Sequence, residues 1–322
     1  MTEINNTNIN DIDLNDPKLF EKKIADEASS EHIAAPKYSY WDSVWRNFFH
    51  NKLAIALLAV VVIVFLFAFI QPIFSGYDTM NTPNINNRNL HYLRPFQNPD
   101  FFLGSDDKGN SLWDALWAGT KNSLFLAVMA TLITETIGVI IGMFWGFSKK
   151  IDAVMIEVYN VVSNIPTTLI AMILVYALGG GMKQLIFALC ITTWVGTAYF
   201  IRVQVMIIRD REYNLASKCL GTPTYKIILN NILPYLVSVI ITSVSRDIPL
   251  FISTEVALSY MGVGLSYQYP SLGKMIQEYS PYMTSAGYLF WIPVFTAAVI
   301  SVSLYIVGQA LADASDPRTH ML

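Results

Sequence analysis

The residues that could do chemistry in this chain are few and widely spaced. The two cysteines, Cys190 and Cys219, have no basic partner in sequence that would make either of them a nucleophile. The four histidines are scattered between His32 and His320, a distribution that predicts no metal site. The motifs G-x-x-x-x-G-K-[ST], H-E-x-x-H and G-x-S-x-G do not occur. We therefore expect no catalytic residue, no cofactor, no metal and no ATP-binding loop of the usual kind.

Four charged residues lie well inside long apolar stretches, and these are Glu135, Arg246, Asp247 and Glu255; a fifth, Glu157, lies near the start of another stretch. A charge at the centre of a membrane helix costs roughly 2.5–3.5 kcal/mol, so such groups are usually paired or face water. Arg246 and Asp247 are about 100° apart on a helix, which makes their mutual pairing awkward. We expect Arg246 to reach Glu135 or Glu255 instead. Two interpretations stay open: ion pairs within a helix bundle, or the polar lining of a transport path.

The apolar stretches themselves predict membrane spans. The chain has 322 residues, of which 53% are hydrophobic and 14% charged, whereas about a quarter are charged in soluble domains. A helix needs about 20 apolar residues to cross the hydrocarbon layer. Six stretches qualify: residues 53–77, 122–147, 153–178, 184–201, 232–261 and 286–311. We predict an all-α, multi-pass protein of the cell membrane, and the net charge of −3 offers no surface for nucleic acid.

The parts before the first span have a different character. Residues 1–40 are polar and rich in Asn, which predicts a disordered cytoplasmic tail. Residues 41–52 place Trp41, Val44, Trp45, Phe48 and Phe49 at helical spacing, which predicts a helix in the membrane interface. This helix is either an ordinary juxtamembrane anchor or an elbow helix that grips a partner subunit.

Lys and Arg residues set the expected orientation. Placing the N-terminus inside gives the cytoplasmic side more of the basic residues near the span ends, with the highest density in residues 209–226. Both termini are then cytoplasmic. In the second span, Gly138, Gly142 and Gly146 recur every four residues, which allows close helix approach. Packing within the bundle is the favoured interpretation, and contact with a second membrane subunit is the alternative.

The loop of residues 209–234 carries a distinctive pattern. Gly221 suits a helix end and Thr222-Pro223 suits a helix start, so the loop predicts two short helices with a break. Small residues at Ala216 and Ser217 would let another protein approach closely. From spacing alone, the loop is either a compact docking site for another protein or a plain amphipathic connector.

This loop resembles the EAA loop of ATP-binding-cassette importer permeases. The matching positions are Glu212, Ala216, Ser217, Gly221 and Pro234, and Asn231 stands where the peptide branch of the family often has His. In that family, the loop seats in a groove of a cytoplasmic ATPase and transmits its motion. The resemblance therefore implies that these residues couple the chain to an ATPase.

Further segments resemble the C-type permease subunit of dipeptide and oligopeptide importers. They are Leu103 to Ser111, with Asn110-Ser111 in place of Arg-Asp, then Asn164-Ile165-Pro166, Leu258 to Gly264, Pro270 to Gly273 and Gly308 to Arg318. The resemblance implies a type I importer bundle with four kinds of partner: a second permease, two cytoplasmic ATP-binding subunits, an extracellular peptide-binding protein and the lipid bilayer.

Other transport functions remain as alternatives. Nickel importer permeases share these motifs, although the spans here contain no His or Cys cluster that would favour a metal. An ATP-independent secondary transporter would show broken helices at matching places in two halves, and the sequence has no convincing internal repeat. We predict a non-catalytic permease subunit that forms half of a peptide path.

Overall fold

The computed structural model describes residues 40–316. Residues 1–39 of the predicted tail and the last residues of the C-terminal motif, Pro317 and Arg318, lie outside this range. Within it, the regular structure is helical, apart from one isolated bridge between Ser105 and Ser111. The α-helices are α1 Tyr40–His50, α2 Lys52–Ser75, α3 Leu112–Phe147, α4 Lys149–Ser163, α5 Thr167–Leu178, α6 Met182–Ile208, α7 Glu212–Cys219, α8 Thr224–Ile227, α9 Leu233–Tyr260, α10 Leu272–Tyr279 and α11 Gly287–Ala314.

Five helical segments of the described chain are long and apolar enough to cross a membrane. They are α2, α3, α6, α11 and the continuous segment Thr224–Tyr260, in which the π-helical turn Ile228–Ile232 joins α8 to α9. The bent pair α4 and α5 makes a sixth span if the two helices count as one. The predicted all-α membrane architecture is confirmed.

The stretch predicted as one span over residues 153–178 is divided in the structure. Helices α4 and α5 meet at an angle of 76° across a break at Asn164–Pro166. Pro166 has no N–H to donate, and its ring disfavours a helical conformation at Ile165. A long apolar run therefore predicts that a segment is long enough to cross the hydrocarbon layer. The proline, however, prevents this run from forming one straight helix.

Helix α3 is longer than the span predicted from hydropathy. It begins at Leu112, ten residues before position 122, because Ser111 caps it: the Ser111 Oγ accepts a hydrogen bond from the Asp114 N–H at 3.4 Å. Likewise, α6 continues to Ile208, beyond position 201. Helix length follows caps and tertiary packing, whereas hydropathy reports only the part that lipid can surround.

The core of the bundle is the close contact between α3 and α6. Gly138, Gly142 and Gly146 lie along it, facing residues 197–205 of α6. A Cβ added at Gly142 would sit 2.5 Å from the carbonyl oxygen of Ala198, which is closer than a real side chain allows. These glycines let the two backbones approach within the bundle.

Helix α1 precedes the first span and is amphipathic. Val44 and Phe48 are buried, whereas Trp41, Trp45 and Phe49 on the same helix are exposed. The helix ends at His50, and Asn51 caps α2 by accepting a hydrogen bond from the Ala54 N–H at 3.2 Å. The exposed aromatic side chains are of the kind that is enriched at a membrane interface.

The bundle has two ends that carry short helices. At the first, called the α7 end, α7 and α8 connect α6 to α9. At the opposite, α10 end, α10 lies between α9 and α11 and packs against the start of α3, where a Cβ at Gly119 would sit 3.2 Å from the carbonyl carbon of Ser271. The groups suggested by the sequence are distributed between these ends and the helices that join them.

Candidate functional site

Helix α7 is anchored to the bundle by a buried asparagine. Asn214 is fully buried on a helix that is otherwise largely exposed, and its Nδ2 donates to the carbonyl oxygen of Ile208 at 2.8 Å. Next to it, the Arg209 Nη1 donates to the carbonyl oxygen of Gly146 at 2.7 Å. Each bond satisfies a carbonyl at the end of a long helix, α6 or α3. Asn214 therefore ties α7 to the end of α6, and Arg209 ties that end of α6 to α3.

Helix α7 ends in a Schellman motif built on Gly221. The Thr222 N–H donates to the Ser217 carbonyl at 3.0 Å, and the Gly221 N–H donates to the Lys218 carbonyl at 3.0 Å. Gly221 has φ of +78°, a conformation that costs other L-residues free energy. In the described part of the chain, no atom beyond its two sequence neighbours lies within 4 Å of the place where its Cβ would stand. The requirement for glycine here is conformational rather than steric.

Asn231 connects this short helix to α9. Its Nδ2 donates to the Asn214 Oδ1 at 3.0 Å and to the Ser217 Oγ at 3.3 Å. Asn231 lies in the π-helical turn, where the Leu233 N–H bonds back to the Ile228 carbonyl. Pro234 follows at once, has no N–H and clashes with a regular helical turn before it. The proline thus accounts for the wide turn that holds Asn231.

The outer face of α7 is exposed and partly apolar. Glu212, Ala216, Gly221 and Pro234 are exposed, and Ser217 is half-buried. Three apolar side chains on or directly after α7 are also exposed: Tyr213, Leu215 and Leu220, of which Leu220 is 86% exposed. We call the exposed face formed by residues 212–221 the α7 surface. Exposed apolar side chains grouped in this way are typical of a protein interaction site.

The residues predicted from the loop lie close together around α7. One further residue of the site was not predicted. Glu212, Ala216, Ser217 and Gly221 lie on or directly after α7, and Asn231 contacts it from the π-helical turn. Asn214 was not predicted from the sequence. Its signal was a polar residue between apolar ones on a short helix, and that signal is weak without the contact to Asn231.

At the α10 end, several serine hydroxyl groups surround the carboxyl group of Glu255. It is fully buried, and its Oε1 accepts hydrogen bonds from Ser259 at 2.9 Å and from Ser271 at 2.6 Å. Its Oε2 accepts a third from Ser123 at 3.0 Å. These serines belong to α9, to the cap of α10 and to α3, so one carboxyl group holds three elements together. The backbone N–H of Gly273 also hydrogen-bonds to this carboxyl group, and Arg246 is not among the partners described for it.

The expectation that Arg246 and Asp247 would not pair is wrong. The Arg246 Nε lies 3.1 Å from the Asp247 Oδ1, and its guanidinium carbon stands 5.3 Å from the centre of the Phe200 ring. An angle of about 100° between neighbours separates their Cβ atoms, but the long arginine side chain bends back across it. Glu135 accepts a hydrogen bond from the Ser243 Oγ at 2.6 Å.

The motif around Asn110 forms a buried polar turn near the start of α3. Asp106 is buried, and its Oδ1 accepts hydrogen bonds from the N–H groups of Lys108 at 2.9 Å and Asn110 at 2.7 Å. Burial raises the pKa of Asp106 above the ordinary 3.8, although these hydrogen bonds oppose the shift. The residues that replace Arg-Asp in this chain are therefore used locally, Asn110 in the turn and Ser111 as the cap of α3.

Comparison with known proteins assigns the chain to a family. Residues 138–321 match the family described as binding-protein-dependent transport system inner membrane component. The chain belongs to this family. Residues 39–95 match the N-terminal transmembrane domain of oligopeptide transport permease C. The resemblance predicted from the loop and the dispersed motifs is confirmed, and so is the multi-pass membrane location.

Curated relatives cover nearly the whole chain. The oligopeptide transport system permease protein AmiD of Streptococcus pneumoniae is 49% identical over 92% of this chain and 95% of its own length. The dipeptide transport system permease protein DppC of Bacillus subtilis is 33% identical over 90% of this chain and 89% of its own. The oligopeptide permease OppC of that organism is 32% identical over 93% and 96%. This inner membrane component is thus similar to permease subunits along its full bundle.

Proposed function

We propose that the protein is a membrane-spanning permease subunit of an ATP-driven importer of oligopeptides. The relatives that are similar over most of this chain are named as oligopeptide and dipeptide transport permeases. Two features of the chain support the same function: a bundle of membrane helices, and an exposed α7 surface at one end of it. The protein forms half of the peptide path, and a second, homologous permease forms the other half.

The α7 surface is the proposed docking site for a cytoplasmic ATPase. The observation that carries this proposal is the linkage of the exposed helix to α9 through Asn231, Asn214 and Ser217. A push on α7 would pass through these hydrogen bonds to α9, and through the bond from Asn214 to Ile208 it would pass to α6. Two ATPases, one on each permease, would rock the bundles between outward and inward openings as they close on ATP.

This function also sets the proposed orientation. ATPases are cytoplasmic, so the α7 end faces the cytoplasm and the α10 end faces outward, where an extracellular binding protein delivers the peptide. The basic residues near the α7 end support this assignment, since short cytoplasmic loops carry an excess of Lys and Arg. They are Lys149, Lys150, Arg202, Arg209, Arg211, Lys218 and Lys226.

The experiment compares two substitutions at one exposed position of the α7 surface. Ala216→Trp adds bulk where a partner would approach, and Ala216→Ser keeps the residue small. Since Ala216 is exposed, we expect both variants to insert normally. The tryptophan variant should lose co-purifying ATPases and labelled-peptide uptake, and the serine variant should keep both. Wild-type uptake and ATPase recovery in the tryptophan variant would exclude docking at this surface.

The substrate is tested separately in the intact transporter. Vesicles or cells that hold the protein with its partners should accumulate labelled peptides in an ATP-dependent manner. Accumulation of radioactive nickel, without peptide, would favour the alternative metal-importing function. Transport that persists without ATP and without copurifying partners would favour a secondary transporter.

A further inference from the structure

A cavity of about 320 Å³ lies where α4 and α5 bend, between them and the helices α6 and α9. Six of its lining side chains carry hydroxyl groups: Tyr159, Ser163, Thr167, Thr192, Thr193 and Thr254. The other lining residues are apolar, and none of those that the structure describes around the cavity is charged. The volume is at the low end of the range of about 300–1,000 Å³ that is common for ligand sites.

One of these hydroxyl groups lacks a partner. Thr192 is only 8% exposed, and its Oγ1 makes no hydrogen bond within residues 40–316. A buried hydroxyl without a partner costs free energy, so native proteins rarely leave one unused. Thr193 and Thr254 instead donate to carbonyls of their own helices, at 2.6 Å to Leu189 and 2.8 Å to Leu250. Their oxygens keep lone pairs that can accept a further bond.

The backbone around the cavity also leaves room and donors for a ligand. Among residues 40–316, no atom outside the surrounding turns of α6 lies within 4 Å of the position that a Cβ on Gly196 would take, so α6 presents bare main chain to open space. Helix α5 begins at Thr167 after Pro166 without a side-chain cap. The first N–H groups of a helix have no partner within it, and those of α5 start at a residue that lines the cavity.

The cavity lies within the depth of the membrane. Its α6 residues run from Leu189 to Gly196, and the helix begins at Met182. At 1.5 Å per residue, they are about 10–21 Å from the start of the helix. The hydrocarbon layer is about 30 Å thick. A ligand here would lie near the middle of a crossing, away from both short-helix ends.

We propose that this cavity binds a segment of peptide main chain during transport, through its hydroxyl groups and not through charges. A peptide backbone offers one donor and one acceptor per residue whatever its side chains are, and uncharged hydroxyls can satisfy both. Glu135, Arg246, Asp247 and Glu255, by contrast, do not line the cavity. Serines bind Glu255 and Glu135, and Arg246 pairs with Asp247. The inference rests on the proposed peptide-import function and adds the place where the permease itself contacts the substrate.

The first test is substrate-protected labelling of the assembled transporter. In a Cys190→Ala, Cys219→Ser background, Gly196→Cys places a thiol in the open space of the cavity. Phe187→Cys is the matched control, because nine residues on a helix correspond to about 180° and Phe187 is exposed on the opposite side of α6. A tripeptide with a methanethiosulfonate group should label the Gly196→Cys variant, and excess unmodified tripeptide should suppress this labelling. The control should show no such suppression.

The outcomes separate the two proposals. If the cysteine-free background imports labelled peptide but the unmodified tripeptide does not protect the Gly196→Cys variant, the cavity is not the site, although the importer function stands. Equal labelling of both variants would indicate access from lipid and would also overturn the site. If wild-type transporter imports no peptide, the importer function fails and the site fails with it.

The second test is a pair of substitutions at Thr192. Thr192→Val removes the unpartnered hydroxyl and keeps the shape, and Thr192→Ser keeps the hydroxyl. We expect the valine variant to raise the KM for peptide uptake about five-fold, the effect of one hydrogen bond, without lowering the thermal midpoint. The serine variant should keep a KM close to that of the wild type. An unchanged KM in the valine variant, or a loss of stability in place of a KM effect, would contradict the proposal.

Discussion

The side-chain amide of Asn231 donates a hydrogen bond to the Oδ1 of Asn214 across 3.0 Å, and this bond joins the start of α9 to α7. Asn214 has no freedom to turn its amide around, because its Nδ2 is already bound to the Ile208 carbonyl at the end of α6. The two asparagines therefore form a directed chain of donors from α9 through α7 to α6. A tilt of α7 has to move one of the long helices or break a buried hydrogen bond.

The first prediction concerns this chain of hydrogen bonds. Asn231→Asp replaces the donating amide by a group that only accepts, and it brings two acceptors together at Asn214. The loss of one such bond, with a buried partner left unsatisfied, costs about 1–3 kcal/mol. We expect fewer peptides imported per ATP hydrolysed in the purified complex. Asn230→Asp is the control, since Asn230 is exposed and its replacement adds the same charge one residue away. Equal loss in both variants would mean that charge, and not the bond, is responsible.

The second prediction concerns the turn at Gly221. Its φ of +78° favours glycine, tolerates asparagine and disfavours alanine, at a cost of about 1–2 kcal/mol for most side chains. The open space at this position removes any steric term. We expect peptide uptake to fall in the order Gly, Asn, Ala, and to be abolished in Gly221→Pro, whose ring requires a negative φ. Membrane insertion, measured by immunoblot of membrane fractions, should persist in all of these variants.

The third prediction compares two glycines that differ in their surroundings. Gly142→Ala would place a methyl group 2.5 Å from the Ala198 carbonyl oxygen, which is backbone and cannot move aside. Overpacking of this kind costs about 1–3 kcal/mol. Gly196→Ala on α6 meets open space instead. We expect the first variant to lower the thermal midpoint of the purified complex and the second to keep or slightly raise it, because alanine favours a helix interior over glycine. Similar midpoints would show that α3 and α6 can separate without cost.

Much of the fold could be predicted because apolar length alone identifies a membrane helix. Hydropathy did not reveal the division of residues 153–178, because Pro166 interrupts the helix without interrupting the apolar run. Pairing of Arg246 with Asp247 was also missed, since angular spacing describes Cβ positions and not the reach of a long side chain. In the loop, the role of Gly221 was predictable because glycine tolerates the positive φ that often ends a helix. Asn214 was not, because its role depends on the π-helical turn that carries Asn231.

The fourth prediction concerns the serine hydroxyl groups that bind Glu255. In Glu255→Gln, one oxygen becomes an NH₂ group that cannot accept, so a serine hydroxyl that donates to this oxygen has to turn and accept instead or lose its partner. Because the site is fully buried, the expected cost is about 1–3 kcal/mol. We expect faster amide hydrogen exchange in α10, whose N-terminal cap Ser271 depends on this carboxyl group. Glu157→Gln, at an exposed position of α4, is the control and should leave that exchange unchanged.

The last prediction concerns Glu278 on α10, which lies near two lysines. Burial raises the pKa of its carboxyl group above the ordinary 4.5, and the charges of Lys108 and Lys274 only partly oppose this effect. The ionised form is therefore less favourable in the folded protein than in the unfolded chain. For a group with a raised folded-state pKa, stability is fully present below the ordinary pKa and is lost as the pH rises through the folded-state value.

Glu278→Gln removes this titration and keeps the shape of the side chain. We expect the thermal midpoints of variant and wild type to be similar below pH 4.5, the ordinary pKa of the group. As the pH rises, the variant should become the more stable of the two, because the wild type has to keep a charged carboxylate in a partly buried place. Asp100→Asn, in an exposed loop, is the matched control for the loss of one carboxylate charge. A glutamine variant that loses stability as the pH rises would mean that the two lysines outweigh burial at this carboxyl group.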